Sequence, residues 1–276
     1  STSSLVKIMR DDFLAKYSWD TTTNDTSTYR VNSGRGINTW GPSTYEDGTP
    51  YEGADLMREL NTAYLGNVTV GTDNYWYRGP NNEKNIPMPN KTLNQNAQDM
   101  IEEVKWYLGS PSSNNGTYDS NWGSNIKTKI SYERERANTN GKVCICEGNF
   151  VVYCNDEVLR TSDWTGKVAF IYPSDYGYST SGGTTTNKET CLNTSLKSWD
   201  DSSVSDCKNN AWIYKNDGQW TLSPRAATSD ANSVYAIYSA GSINHSTASS
   251  GYRVYPAVFI KSSVLFDSGE GTSDNP

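Results

Sequence analysis

The chain has 276 residues and a formal net charge of −7, with 34% hydrophobic and 20% charged residues. No Lys/Arg stripe relieves the acidic balance, which argues against a nucleic-acid partner. No apolar run approaches the roughly 20 residues that a membrane-spanning helix needs, so direct membrane insertion is not expected. The 19 Tyr and 9 Trp exclude a disordered chain, because such chains lack the aromatic surface from which a core is built.

Apolar spacing of three to four residues predicts helices in the first half. Leu5, Ile8, Met9, Phe13 and Leu14 predict one over residues 3–17, as a stalk or packing element. Leu56, Met57, Leu60 and Tyr64 predict a second over 53–65, with Gly66 as its C-cap. Met100, Ile101, Val104, Tyr107 and Leu108 predict a third over 96–108, ending at Gly109. A weaker pattern runs through 187–199. The rest reads as short strands between Gly-, Asn-, Ser- and Asp-rich turns, at 142–146, 150–154, 167–172, 211–214, 219–222, 233–238 and 252–260. Helices early and antiparallel strands late predict an α+β fold with long loops over 20–50, 72–95 and 109–124, in one domain spanning residues 1–276.

Five cysteines lie at 144, 146, 154, 191 and 207. No CxxC is present, and the single His245 cannot complete a Cys/His zinc cluster. Cys191 and Cys207, flanked by Trp199 and Trp212, predict a disulfide that closes a loop and places the protein in an oxidising, extracellular setting. Cys144, Cys146 and Cys154 sit in an apparent hairpin, where one cross-strand pair would leave the third thiol free. Asn-X-Ser/Thr triplets such as Asn24-Asp-Thr fit an exterior protein but arise readily in so Asn- and Thr-rich a chain.

Catalytic patterns are sparse. Nucleophilic hydrolysis needs a base beside the nucleophile, and His245 lies in a polar turn. Gly177-Tyr-Ser-Thr-Ser lacks the second Gly of a nucleophile elbow. Glu133, Glu135 and Asp175 are candidate carboxylates for glycoside cleavage. The better expectation is that Glu133-Arg-Glu-Arg136 alternates along a solvated strand and pairs laterally. Asp11-Asp12 and Asp200-Asp201 lack the spacing of a calcium loop, and Gly34-Arg-Gly is too short to cradle a phosphate. No enzyme activity, cofactor or metal is expected.

The C-terminal stretch 219–260 interleaves two kinds of position. Trp220, Leu222, Pro224, Val234, Ile237, Gly241, Ile243, Val254, Pro256, Val258 and Ile260 have strand-like spacing and are expected to face a core. Between them lie Ala227, Thr228, Ser229, Asp230, Asn232, Tyr235, Tyr238, Ser242, Asn244, His245, Ser246, Thr247, Ser249, Ser250, Tyr252 and Tyr255. This second set uses the alphabet of antibody loops, in which Tyr supplies contact area at low entropy cost and small polar residues adapt. It is expected to form a displayed binding face, with Tyr235, Tyr238, Tyr252 and Tyr255 as anchors.

Several blocks resemble surface proteins of gut bacteria, some with a pilin-like N-terminal anchor. They are GADLMRELN (53–61), EVKWYLG (103–109), YERER (132–136), WTGKVAFIYPSDYGYSTSGG (164–183), the Cys191–Tyr214 block, WTLSPRA (220–226) and RVYPAVFIKSSV with GEGTSDNP (253–276). The resemblance implies a C-type-lectin-like fold of the formylglycine-generating-enzyme type. It extends to the variable proteins of diversity-generating retroelements, whose mutated codons yield the palette seen between residues 227 and 255. What it implies is a surface-displayed adhesin or receptor-binding domain whose partner is an unknown protein or glycan on another cell or virion. A lectin-like carbohydrate-binding module without diversification is the alternative, and a glycan-active enzyme a more distant one. The Glu-Pro-Asn and Trp-Asn-Asp motifs of calcium lectins are absent, nothing matches a formylglycine-generating cysteine site, and Tyr255-Pro256 stands where the family more often has Arg-Pro.

Overall fold

A computed structural model describes residues 5–21, 36–45, 50–66, 92–114, 117–137, 158–159, 161–226 and 232–264. The strands expected at 142–146 and 150–154, Cys144, Cys146, Cys154 and Gly34-Arg35 lie outside those residues. The fold is mixed α+β, with short helices and sheets that are almost wholly antiparallel.

The first elements are strands β1 (Val6–Met9), β2 (Lys16–Tyr17), β3 (Ser43–Tyr45) and β4 (Pro50–Tyr51), followed by helix α1 (Asp55–Asn61). Helix α2 (Gln95–Met100) runs directly into β5 (Ile101–Glu102) and β6 (Val104–Tyr107). A small hairpin, β7 (Ser113–Asn114) and β8 (Thr117–Tyr118), precedes α3 (Trp122–Asn125) and α4 (Thr128–Glu135). Strands β9 (Val158–Leu159), β10 (Asp163–Gly166) and β11 (Val168–Ala169) lead to α5 (Pro173–Tyr178), α6 (Lys188–Asn193) and α7 (Ser205–Asn209). The chain closes with β12 (Gln219–Pro224), β13 (Ser233–Ile237), β14 (Ile243–Thr247), β15 (Tyr252–Arg253) and β16 (Ala257–Ile260).

Several predicted elements change type, each for a local reason. The helix expected over 3–17 is not formed. Val6–Met9 pairs antiparallel with β16, and Lys16–Tyr17 pairs with β15, so tertiary strand partners override a helical spacing too short to stand alone. Residues 53–65 hold α1 at their centre, with Leu56, Met57 and Leu60 buried and a turn through Gly66 at φ +73°. The helix expected over 96–108 stops at Met100. Beyond it, Val104, Trp106 and Leu108 alternate with the exposed Lys105 and Tyr107, and this two-residue period pairs β6 with β10. Residues 211–214 form a turn, and the stretch 252–260 divides at Val254–Pro256.

The largest correction concerns Glu133–Arg136, which is helical and closes α4. The face that α4 buries is Thr128, Ser131 and Glu135, three polar residues at helical spacing. That face packs on α5 so closely that a Cβ added to Gly177 would sit 2.2 Å from Thr128 Oγ1.

The core is aromatic. Trp19 meets Trp40 at 4.7 Å between ring centroids and Trp220 at 6.1 Å, and Trp40 meets Phe170 at 5.2 Å. Trp220 donates its Nε1–H to the Tyr17 carbonyl over 2.8 Å. The main sheet has the order β14-β13-β12-β15-β2. Every residue of β12 and β13 is buried. Register pairs Trp220 with Ala236 and Gln219 with Ile237, so Trp220 and Ala236 point to one face and Tyr235 and Ile237 to the other. Both faces of the sheet are therefore covered.

Candidate binding face at the C-terminal sheet

The interleaved residues part into two groups by burial. The framework behaves as expected, with Trp220, Leu222, Val234, Ile237, Ile243, Val254 and Val258 buried, and only Ile260 half-exposed. Of the set expected on display, Asn232, Tyr235, Ser242 and Tyr255 are buried. Tyr235 is fully enclosed between Trp122, at 5.7 Å, and His245, at 6.3 Å. Asn232 accepts the Ala248 amide with its carbonyl, and Tyr255 packs edge-on against Phe13 at 6.1 Å. The expectation of a half-wet sheet fails because Trp122 and α5, far away in sequence, cover the second face. Thr228, Ser229, Asp230 and Ala227 lie outside the described residues.

The remaining eight residues form a half-exposed rim: Tyr238, Asn244, His245, Ser246, Thr247, Ser249, Ser250 and Tyr252. Six of them lie on or beside β14, which among the described residues ends the sheet and pairs with β13 alone. Tyr238 donates its hydroxyl to the His245 carbonyl over 2.7 Å and lies 5.7 Å from the Tyr252 ring. Tyr252 in turn packs on Trp220 at 4.6 Å. Ser246 Oγ donates to Ser250 Oγ at 3.0 Å, and Thr247 Oγ1 lies 2.8 Å from the same oxygen. The rim thus presents hydroxyls and amides on a rigid, fully packed floor.

His245 joins the rim to a second feature. Its ring meets Trp122 edge-on at 5.5 Å. Burial, followed by the nearby Arg225 and Lys197 charges, depresses its pKa to about 4, so the imidazole is neutral at physiological pH. On its other side Trp122 lines an open polar cleft of about 520 Å³, with Ser120, Asn121, Ser124, Lys197 and Asp201. Lys197 Nζ stands 4.9 Å above the indole. Two hydrogen bonds tie the segments that flank the cleft: Leu196 N–H donates to Ile126 O at 2.9 Å, and the Ser195 hydroxyl donates to Gly123 O at 2.6 Å. Trp122, Lys197 and Arg225 carried no signal in sequence, because each acquires its place from a long-range contact.

The carboxylates considered for glycoside cleavage are separated by their surroundings. Glu133 is exposed on α4. Glu135 is closed to solvent, accepts the Ser174 amide at 3.1 Å and meets both the Ser174 hydroxyl and Arg136. Burial outweighs the opposing influence of Arg136 and Ser174 and pushes its pKa up to about 8. Ser174 is equally enclosed, so no substrate reaches this pair, which ties α4 to α5. Asp175 accepts the Tyr172 amide at 2.8 Å and pairs with Lys7 at 2.5 Å. Asp11 pairs with Lys215 and Asp12 with Arg10, and among the described residues no cluster of three or more metal-ligating side chains occurs.

The Cys191–Cys207 disulfide is formed and joins α6 to α7, with the two Cα atoms 5.3 Å apart. No helix among the described residues is long and apolar enough to cross a membrane. No family model, curated protein or solved structure matches the chain.

Proposed function

We propose that the chain is an extracellular, non-catalytic ligand-binding domain of the C-type-lectin-like class, and that its contact surface is the rim of β14 together with the Trp122 cleft. The observation that carries this reading is the rim itself, a contiguous set of uncharged polar and Tyr side chains fixed on a buried sheet. Such a surface gives contact area and adaptable hydrogen bonding with little ordering cost on binding. The disulfide supports an oxidising compartment. The resemblance to diversity-generating retroelement proteins supports variation at Asn244, His245, Ser246, Thr247, Ser249 and Tyr252, with Thr228, Ser229 and Asp230 beside them in sequence. Asn232, Tyr235, Ser242 and Tyr255 belong to the scaffold, since their burial leaves no surface for a partner.

The test is an array of bacterial surface proteins and glycans probed with the wild-type domain and with an Asn244→Arg/Ser246→Glu/Ser249→Arg variant. All three residues are partly exposed, so charge and bulk are added without filling the core. Binding that disappears in the variant, with its melting temperature retained, is the expected result. Binding of equal strength in both proteins, or none in either, refutes the assignment.

A further inference from the structure

A second site, sharing no lining residue with the rim, is built by β1, α5 and the turn after α7. Trp212 is 64% exposed, whereas Trp19, Trp40, Trp106, Trp122, Trp199 and Trp220 are all buried. The ring does not stand alone in water, since the exposed Ile8 and Tyr178 line the same cleft and make with it a local apolar patch. It is not a loose side chain on a loop. Ala211 bridges Thr180, Ser181 N–H donates to Asn210 O at 3.1 Å, and Tyr214 N–H donates to Ala211 O at 2.9 Å. The turn follows α7 directly, and α7 is pinned to α6 by the disulfide. The indole is held out on a stapled mount.

Beside it runs a cleft of about 260 Å³, lined by Ile171, Tyr178 and Trp212 on its apolar side and by Lys7, Asp175 and Ser179 on its polar side. Tyr178, 42% exposed, adds a second ring to the lip. The polar wall is preorganised. Lys7 and Asp175, 19% and 20% exposed, form an ion pair, and the Tyr172 amide and Arg136 (3.7 Å) hold the carboxylate in place. Asp175 Oδ2 takes both the Lys7 and the Tyr172 bonds, while Oδ1 stands 3.7 Å from Arg136 Nη2, beyond hydrogen-bond distance, and keeps capacity to accept from a ligand. Ser179 donates its own proton to Tyr176 O, so its oxygen is also an acceptor.

From these features we infer that the Trp212 cleft is a binding subsite for a neutral saccharide, separate from the C-terminal rim. The indole face carries negative quadrupole density and meets the C–H groups on the apolar face of a pyranose ring. The hydroxyls at the ring edge then donate to Asp175 and Ser179 and accept from Lys7. Other ligand classes fit less well. An anion would have to compete with Asp175, whose carboxylate already occupies the cations Lys7 and Arg136. A hydrocarbon would cover Lys7 and Asp175 without giving them a hydrogen bond, which is costly.

The site is tested by calorimetry and Trp fluorescence with neutral gluco-, xylo-, manno- and galacto-oligosaccharides. The proteins compared are wild type, Trp212→Ala, Trp212→Phe and the rim variant described above. Trp212 supports little of the fold, so Trp212→Ala is expected to keep its melting temperature while binding at least one series about tenfold more weakly. Trp212→Phe is expected to recover part of that loss, and the rim variant to bind as wild type does. Loss in the rim variant alone would assign the saccharide to the rim and overturn this site. So would no binding to any of the four series, stronger binding of uronate oligosaccharides, or equal competition by adenosine or an alkyl chain.

Discussion

Replacing Glu135 by Gln isolates the energetic consequence of a buried acid. In the folded chain burial holds the Glu135 proton up to about pH 8, whereas the ordinary carboxyl value is 4.5. Between those limits the unfolded state binds fewer protons than the folded state, so stability is fully present below pH 4.5 and falls as pH rises. At about 1.4 kcal/mol per pH unit, less near the two pKa values, the interval from pH 5 to pH 8 removes about 3.5 kcal/mol from the wild-type protein. Gln keeps the shape of the neutral acid. Its carbonyl accepts the Ser174 amide, its amide nitrogen can donate to Ser174 Oγ, and it does not titrate. Any fixed cost of placing an amide beside Arg136 is the same at both pH values and cancels. Glu59, which burial raises to about 7, contributes a parallel slope to both proteins and cancels as well. Urea unfolding of wild type and Glu135→Gln at pH 5 and pH 8 should therefore show the variant gaining on wild type by about 3.5 kcal/mol over the interval. Parallel pH profiles would refute the assignment of a protonated Glu135 to the α4–α5 junction.

Two further substitutions probe the scaffold. Tyr235→Ala, which empties the space between Trp122 and His245, is expected to cost about 3–5 kcal/mol in urea unfolding, whereas Tyr235→Phe stays within about 1 kcal/mol. A displayed anchor would show the reverse pattern, with unchanged stability and lost binding. Replacing both Cys191 and Cys207 by Ser should lower stability by about 3 kcal/mol through the loop-closure entropy of a 16-residue separation, read as a reductant-insensitive fall in melting temperature.

What was legible in the sequence divides along the range of the contacts involved. Helix α1 was readable because Leu56, Met57 and Leu60 place an apolar stripe on one face. The C-terminal framework was readable because period two marks strands, and the disulfide because two Cys flanked by Trp read as one closed loop. Helix α4 was hidden, since its buried face is Thr128, Ser131 and Glu135 and hydrophobic periodicity has nothing there to detect. The N-terminal strand was masked by accidental helical spacing, and β16, some 250 residues later, decides its type. The display of Tyr235 and Tyr255 was misread for a similar reason. A local pattern reveals that a strand has two faces but not whether a distant element covers the second one. The exposure of Trp212 was likewise invisible, because a Trp beside a disulfide reads by default as core.

The chain's polarity has an internal use that bears on how binding should be located. Loops without ladders must find partners for their backbone groups, and here short polar side chains supply them. Asp20, fully buried, accepts the amides of Ile37 at 2.6 Å and Asp55 at 3.2 Å. Asn38 donates to the carbonyls of Ser233 and Arg225 at 2.6 and 3.2 Å. Asn61 accepts from Val168 N at 3.0 Å while donating to Val168 O at 2.9 Å. Ser110 and Ser112 both accept the Ala226 amide, at 2.9 and 3.0 Å. A high content of Asn, Ser and Thr is thus what a loop-rich interior requires, and composition alone does not mark a contact surface. Position does. Along β14 the same residue types stand at an edge, where Ser246, Thr247 and Ser250 bond mainly to one another and remain partly open to solvent. There Tyr238 and Tyr252 are the aromatic rings available to a partner, and both are already immobilised, one by His245 and the other by Trp220. A partner docking on that edge meets side chains whose rotamer entropy was surrendered on folding, so the rim can bind with few contacts.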